Sequence, residues 1–439
     1  MRQRWMKQFL LSAAVSLLIA SPLVALEFDG VEFGGTAESE TTASDAPDQD
    51  DLEHSDKLFL YLRGGDPERL DLLIRGSYEF NLDQAYQFDL AALRAAGTVP
   101  LGEPVSGALS YRAGRFSLSD APQILLSQRV DGAAASLELP NAQFRIAGGY
   151  TGLLFPDPAG LYTTATDLRE YEEDDDFFAP GKVIGLASAG FPEVLGRQSL
   201  RLVGVAQLDT RGGLDDGEES LSTYYPALVL DGPISRSVFY TVGVAGGFGK
   251  LQRKSAGTTD SSTLLSGMGT LTIQYLPWSL NWLNAQIGVV GATGDENVDS
   301  YLRRDSGESL NQFVPLRSFG VGEVLSPDLS NLVVPRLELE VKPFANAGTE
   351  VLRNIGISLG GYGYFRPTAG ATSVSPGTPD SDTTYIGSET DLRVSFRPTS
   401  DVGLSVYGGL FLPNTASEAP LGSDADTAWE AGAELSVSF

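Results

Sequence analysis

The chain has 439 residues, a formal net charge of −27, one histidine and no cysteine. The charge argues against a nucleic-acid partner, because phosphates need Lys and Arg to neutralise them. Without cysteine there are no disulfides, so stability must come from a sheet or a core. Without cysteine or a histidine cluster, no transition-metal site and no cofactor are expected.

Arg2, Arg4 and Lys7 precede the apolar run Phe9 to Ala20, which is too short to span a bilayer comfortably, and small residues follow. This predicts a signal peptide over residues 1–25, cleaved after Ala25, and an exported domain over residues 26–439. No other run approaches 18 consecutive apolar residues, so no transmembrane helix is expected.

The rest reads as strand after strand. The first expected strand is Phe28 to Ala37, followed by a short one at Leu58 to Arg63. In Leu72 to Asn81, Leu72, Ile74, Tyr78 and Phe80 alternate with Leu73, Arg75, Ser77 and Glu79. The stretch from Ala85 to Gly97 reads as a strand or a small helix. Phe144, Ile146 and Tyr150 oppose Gln143, Arg145 and Thr151. Leu337, Leu339 and Val341 oppose Arg336, Glu338, Glu340 and Lys342. Leu392, Val394 and Phe396 oppose Asp391, Arg393 and Arg397. The chain ends in Trp429 to Phe439, which has the same period of two. Runs of about ten residues match a tilted strand crossing a bilayer, whereas soluble sandwiches use about 5–6.

The connections add a parity argument. Short links (Pro140–Asn141, Pro192 to Arg197, Asp231 to Ile234, Pro277 to Trp282, Ala345 to Glu350, Pro398 to Asp401) alternate with long ones. The long ones are residues 152–181, Thr210 to Leu221, Lys250 to Thr263, residues 295–331 and Pro367 to Thr383. Outer-membrane barrels have tight periplasmic turns and long outside loops. Phe313 to Val324 looks like a strand, but counting it would break the parity. It is therefore read as part of an external or inward-folded loop. The fold class is all-β: a transmembrane antiparallel β-barrel of 18 strands, or 16 if the N-terminal third contributes fewer. Both termini then lie in the periplasm, and Phe439 sits in the aromatic girdle there.

Alternation assigns Arg75, Arg112, Arg145, Arg201, Arg336, Glu338, Glu340, Lys342, Asp391, Arg393 and Arg397 to the lumen. Rings of charge set pore selectivity, and arginines grip carboxylates in a bidentate way. The bland reading is that Arg and Glu pair across neighbouring strands. If the 295–331 loop folds inward, Arg303, Arg304 and Arg317 are the expected constriction residues. The acidic run Glu170 to Phe178 lacks calcium-loop spacing and reads as a solvated loop. His54 lies in an acidic segment placed before the second barrel strand and reads as solvent-exposed. A lone exposed histidine leaves no base for a serine hydrolase, so no enzyme is expected.

The C-terminal strand ending in Phe439 resembles the targeting signal read by the bacterial barrel-assembly machinery. Ala113 to Pro122, followed by Arg129 to Leu139, resembles large bacterial porins and alginate-export-type barrels, as does Ile386 to Phe411 with its Gly387-Ser388-Glu389-Thr390-Asp391. The resemblance covers about 60 residues. It implies an 18-stranded channel in the outer membrane of a diderm bacterium, of a kind often not trimeric. The expected function is diffusion of small hydrophilic or anionic solutes, with outer-membrane lipid as surroundings. The alternative is a non-conducting receptor, adhesin or structural barrel plugged by its loops.

Overall fold

The computed structural model describes residues 26–28, 30–45, 52–66, 69–81, 87–103, 105–121, 123–155, 162–172, 178–194, 196–296, 298, 300–302, 309–374 and 383–439. The expected signal peptide lies outside the described residues.

A three-residue strand β1 (Leu26–Phe28) precedes eighteen long ones. These are β2 (Val31–Ser44), β3 (Glu53–Asp66), β4 (Leu70–Asn81), β5 (Gln87–Leu101), β6 (Gly107–Ser119), β7 (Ser127–Leu139), β8 (Ala142–Tyr150), β9 (Lys182–Phe191) and β10 (Ser199–Asp209). They continue with β11 (Glu219–Pro233), β12 (Val238–Ser255), β13 (Thr258–Tyr275), β14 (Leu283–Ala292), β15 (Leu332–Val341), β16 (Ile355–Phe365), β17 (Tyr385–Phe396), β18 (Val402–Pro413) and β19 (Ala428–Ser438). Each pairs antiparallel with its chain neighbour, and β19 pairs with β2 over Glu430↔Ser44 to Ser438↔Thr36. The sheet is thus a closed 18-stranded barrel, as the sequence parity requires. Closure removes both sheet edges.

The barrel is sealed at the chain terminus. Phe439 exchanges both backbone hydrogen bonds with Gly35, at 2.9 and 3.0 Å. Its ring lies over the same glycine, where a Cβ would sit 2.6 Å from Phe439 Cζ. A side chain at position 35 would displace the ring that ends the last strand.

Period-two alternation has a physical outcome here. Leu72, Ile74, Ile146, Val244, Ile287, Leu337, Leu392, Val406 and Trp429 are all exposed large apolar side chains. They share one register around the wall, which is the outer, lipid-facing surface expected of a membrane barrel. No helix among the described residues is long and apolar enough to cross a membrane.

The buried apolar core is inside. Phe116, Leu118, Val130, Tyr225, Val229, Met268, Val334 and Phe411 on the strands pack against Ile124 to Leu126 and Phe313 to Leu329 from two inward-folded connections. The Phe313 to Val324 segment is therefore an inward-folded loop, not a barrel strand. The β-type pairing of this segment and of Leu310 before it is limited, among the described residues, to the isolated parallel bridges Leu126↔Leu316 and Leu264↔Leu310.

Four sequence expectations need correction. The first barrel strand is Val31–Ser44 rather than Phe28 to Ala37, because β1 folds back on β2 through Gly30, at φ 84°. Lys250 to Thr263 is not a long loop. β12 and β13 run on for 18 residues each and meet at Ala256-Gly257, both at positive φ, a tight hairpin. The link between β15 and β16 is longer than Ala345 to Glu350 and carries a one-turn helix α2 (Glu350–Arg353). His54 is part of β3, with 14% of its side chain exposed, between Thr41 Oγ1 at 2.8 Å and Asp56 Oδ2 at 3.2 Å.

Candidate functional site: the charged lumen

The inner register of β3 to β8 carries a run of arginines. Arg63, Arg94, Arg112 and Arg145 line one cavity of about 420 Å³, with Asp71, Thr98, Ser110, Ser136 and Gln143. Asp71 takes up the first two, at 2.7 Å from Arg63 Nε and 3.6 Å from Arg94. Arg112 and Arg145 have no carboxylate within 4 Å among the described residues. Arg112 stacks on Phe116 at 4.4 Å, and Arg145 donates to the Ser119 carbonyl at 2.8 Å. Arg75 joins Arg63, Arg94, Phe59 and Tyr61 around a neighbouring cavity of about 350 Å³. Its guanidinium lies 4.3 Å over the Phe59 ring. Aromatic faces hold these guanidiniums without neutralising them.

The opposite wall is acidic. Glu338 and Glu340 on β15, Asp391 on β17 and Glu323 from the inward loop line a cavity of about 270 Å³ with a single arginine, Arg393. Arg393 is fully engaged: Nη2 donates to Glu323 at 3.0 Å and Nη1 to Glu434 at 2.8 Å. Glu389 accepts the Val324 amide at 2.7 Å, the Leu325 amide at 3.3 Å and the Tyr364 hydroxyl at 2.8 Å.

Between the walls, Arg317 projects from the inward loop. It donates to its neighbour's carbonyl at Ser318, 2.8 Å away, and stacks on Phe319 at 4.7 Å. It shares a cavity of about 300 Å³ with Arg336, Thr241, Thr272, Gln274 and Gln286. Burial lowers its guanidinium's pKa; Asp120 opposes this and Arg336 adds to it. Asp120 is itself consumed by the other inward turn, accepting the amides of Ile124, Leu125 and Leu126 at 3.0, 3.0 and 2.6 Å.

The other expected lumen residues spread out. Arg201 pairs with Asp231 at 2.8 Å, as the bland reading has it. Arg336 makes looser contacts, 3.6 Å to Glu338 and 3.4 Å to Thr272. Lys342 and Arg397 each follow the last residue of a strand, so they sit at the short-turn mouth rather than on the wall. Arg303 and Arg304 lie outside the described residues.

Sequence reading missed Arg63, Arg94, Asp71, Glu323 and the anchoring role of Glu389. Arg63 shares a face with Phe59 and Tyr61, which a longer reading of β3 would have shown. Arg94 is hidden by an alanine-rich strand, in which a bulge opposite Arg75/Gly76 inserts Ala91 and breaks the alternation.

A second ionic cluster anchors the long connection between β8 and β9. Its helix α1 (Ala165–Glu172) carries Asp167, completely buried, beside Lys182 and within 2.8 Å of Arg211. Burial works to raise this carboxyl's pKa, but the two cations bring it down to about 2.

No family model and no curated protein matches the chain. Solved structures do. The chain is similar to Pseudomonas aeruginosa OpdQ (TM-score 0.57, 10% identity), which it matches over 94% of its own length and 99% of that chain. It is similar to OccK2 (OpdF) of the same organism in complex with glucuronate (TM-score 0.56, 12% identity, 93% and 98% covered), and to OccK1 (OpdK) (0.54, 12%, 95% and 100%). At these identities the likeness establishes the fold. The chain has the closed 18-stranded barrel of the outer-membrane porins.

Proposed function

We propose that this protein is an outer-membrane channel for small hydrophilic solutes, favouring those that carry a carboxylate. Arg112 and Arg145 carry the reading: two guanidiniums on one cavity, with no carboxylate within 4 Å among the described residues, beside hydroxyl and amide groups. A solute carboxylate supplies the missing bidentate acceptor, and the hydroxyls and amides suit a polyhydroxylated body. The glucuronate bound by OccK2 has both features. The short-turn end, with both termini, faces the periplasm, and the β19 strand ending at Phe439 is presented to the barrel-assembly machinery. Kinship with alginate-export barrels rests on the two short sequence segments alone.

Liposome swelling tests the reading. Glucuronate and glucose are similar in size and differ by one carboxylate. Faster entry of glucuronate, reduced to the glucose rate in Arg112→Ala/Arg145→Ala, is the expected result. Equal rates in the wild type, unmoved by the substitutions, contradict it. The inward segments 123–126 and 313–329 favour one rival, a plugged receptor or adhesin, which predicts no swelling with either sugar.

A further inference from the structure

Glu389 and Asp391 sit two residues apart on the inner face of β17 and are both nearly inaccessible, at 2% and 7% exposed. Between them they hold one stretch of the inward loop by its backbone. Glu389 accepts the amides of Val324 and Leu325, and Asp391 Oδ2 accepts the Glu323 amide at 3.1 Å. Every donor to Glu389 suits an anion, and both of its oxygens are used. Asp391 is different. Its Oδ1 is buried and receives no donor among the described residues, and the next side chain along the same inner face of β17 is Glu389.

A dry carboxylate oxygen without a donor, beside an ionised carboxylate, is where a proton belongs. The surrounding charges point the same way. The loop contributes Glu323 and β15 contributes Glu338, both on one cavity with Asp391; β19 contributes Glu430, and Arg336 of β15 is turned to Glu338, 3.6 Å away. β16 contributes only the phenols Tyr362 and Tyr364. The nearest cation on β17 is Arg393, which is taken by Glu323 and Glu434. β18 contributes Gly409, which makes room for the contact. A Cβ there would lie 2.6 Å from both Asp391 Oδ1 and Val324 Cγ2.

We propose that Glu389 and Asp391 hold one proton between them, and that this proton latches the 322–325 segment inside the lumen. While it is shared, the pair accepts the three amides side by side. Its loss leaves two adjacent buried anions whose nearest cation on β17, Arg393, is already taken by Glu323 and Glu434; they separate, and the segment is released from the wall. The segment carries Glu323 and follows Arg317, so the latch sets where both charges stand in the channel. The proposal rests on the channel reading only for its effect on conductance.

The test is hydrogen exchange of peptides covering residues 313–331 in the full-length, detergent-folded protein, corrected for chemical exchange at each pH. Buried carboxylates retain a proton up to about pH 8–9, so the scan runs from about pH 5 to 10. In the wild type, exchange of this segment rises about tenfold across one step. Asp391→Asn keeps a donor toward Glu389 and cannot lose it, so its segment stays protected throughout. Glu389→Gln removes the anion: its segment is less protected at low pH and shows no step. A wild type without a step, or a step that persists in Asp391→Asn, overturns the latch. Bilayer conductance is recorded across the same pH range. An exchange step in a protein that does not conduct leaves the latch standing and removes the channel.

Discussion

Arg112 and Asp391 both belong to the inner wall, on opposite sides of the lumen, yet the fold treats their charges differently. Around Arg112, on β3 to β8, the arginines outnumber their partners: one buried Asp71 serves Arg63 and Arg94, while Arg75, Arg112 and Arg145 are steadied by ring faces or a carbonyl. Around Asp391, on β15 to β19, the loop-facing groups are consumed by structure, while the ion pairs of Glu338 and Glu340, with Arg336 and Lys342, are long, at 3.6 and 3.9 Å. Glu389 and Asp391 bind loop amides, and Arg393 is held by two glutamates. Charge left uncompensated beside a cavity serves a solute, whereas charge saturated by backbone donors positions a loop. A net charge of −27 would have pointed to the acidic side as the functional one; the partner geometry points to the basic side.

The sharpest way to break this comparison is at the saturated side. Glu389→Ala removes the anionic acceptor of the buried Val324 amide, the half-buried Leu325 amide and the Tyr364 phenol. Hydrogen bonds to charged groups are worth about 1.5–3 kcal/mol each, so the loop should lose at least about 3 kcal/mol of docking. Trypsin cleavage after Arg317 should be slow in the folded wild type and fast in the variant, while the barrel itself stays resistant. Unchanged cleavage would mean that the carboxylate does not anchor the loop.

A saturated cluster away from the lumen sharpens the comparison by pH. Asp167 has its folded value depressed from an ordinary 3.8 to about 2. Its contribution, roughly 2 kcal/mol by linkage, is present above the unfolded value and is lost as pH falls from about 4 toward 2. Proteolysis of the 151–181 connection should thus be constant from neutral pH to about pH 4 and rise below it. A rise already at pH 6 would contradict the assignment.

On the uncompensated side, Arg112→Glu/Arg145→Glu should shift the anion-to-cation permeability ratio by on the order of tenfold at low salt, and less at high salt as screening sets in. Removing the same number of arginines from the saturated set, at Arg201 and Arg393, should shift it less. The smallest expected effect is at Tyr225→Phe, which deletes one hydrogen bond to the Val314 carbonyl of 2.7 Å. It should cost about 1 kcal/mol of loop docking and leave selectivity unchanged.

Much of this architecture was legible in the sequence because a barrel wall has only two faces. Leu337 and Glu338 declare their sides by parity alone, and loop-length alternation correctly kept Phe313 to Val324 out of the strand count. What was illegible depended on tertiary contact. Nothing local shows that the 313–329 segment folds onto Tyr225, Tyr364 and Glu389, so Asp391 read as an ordinary pore charge and Glu389 only as part of a sequence motif. Lys250 to Thr263 read as a loop because its polar residues suit a hairpin continuing past the apolar belt as well as they suit a coil. Arg94 was lost to alanine-rich composition and a bulge. Partner saturation, which separates Arg112 from Arg393, is a property of neighbouring strands and cannot be read from either residue's own strand.

The central claim is that the uncompensated arginines give the lumen its selectivity. The most direct measurement is the reversal potential of the refolded wild-type protein in a planar bilayer under a salt gradient. A potential displaced toward the anion equilibrium value is the predicted result. A displacement toward the cation value would assign selectivity to the acidic wall and contradict the account.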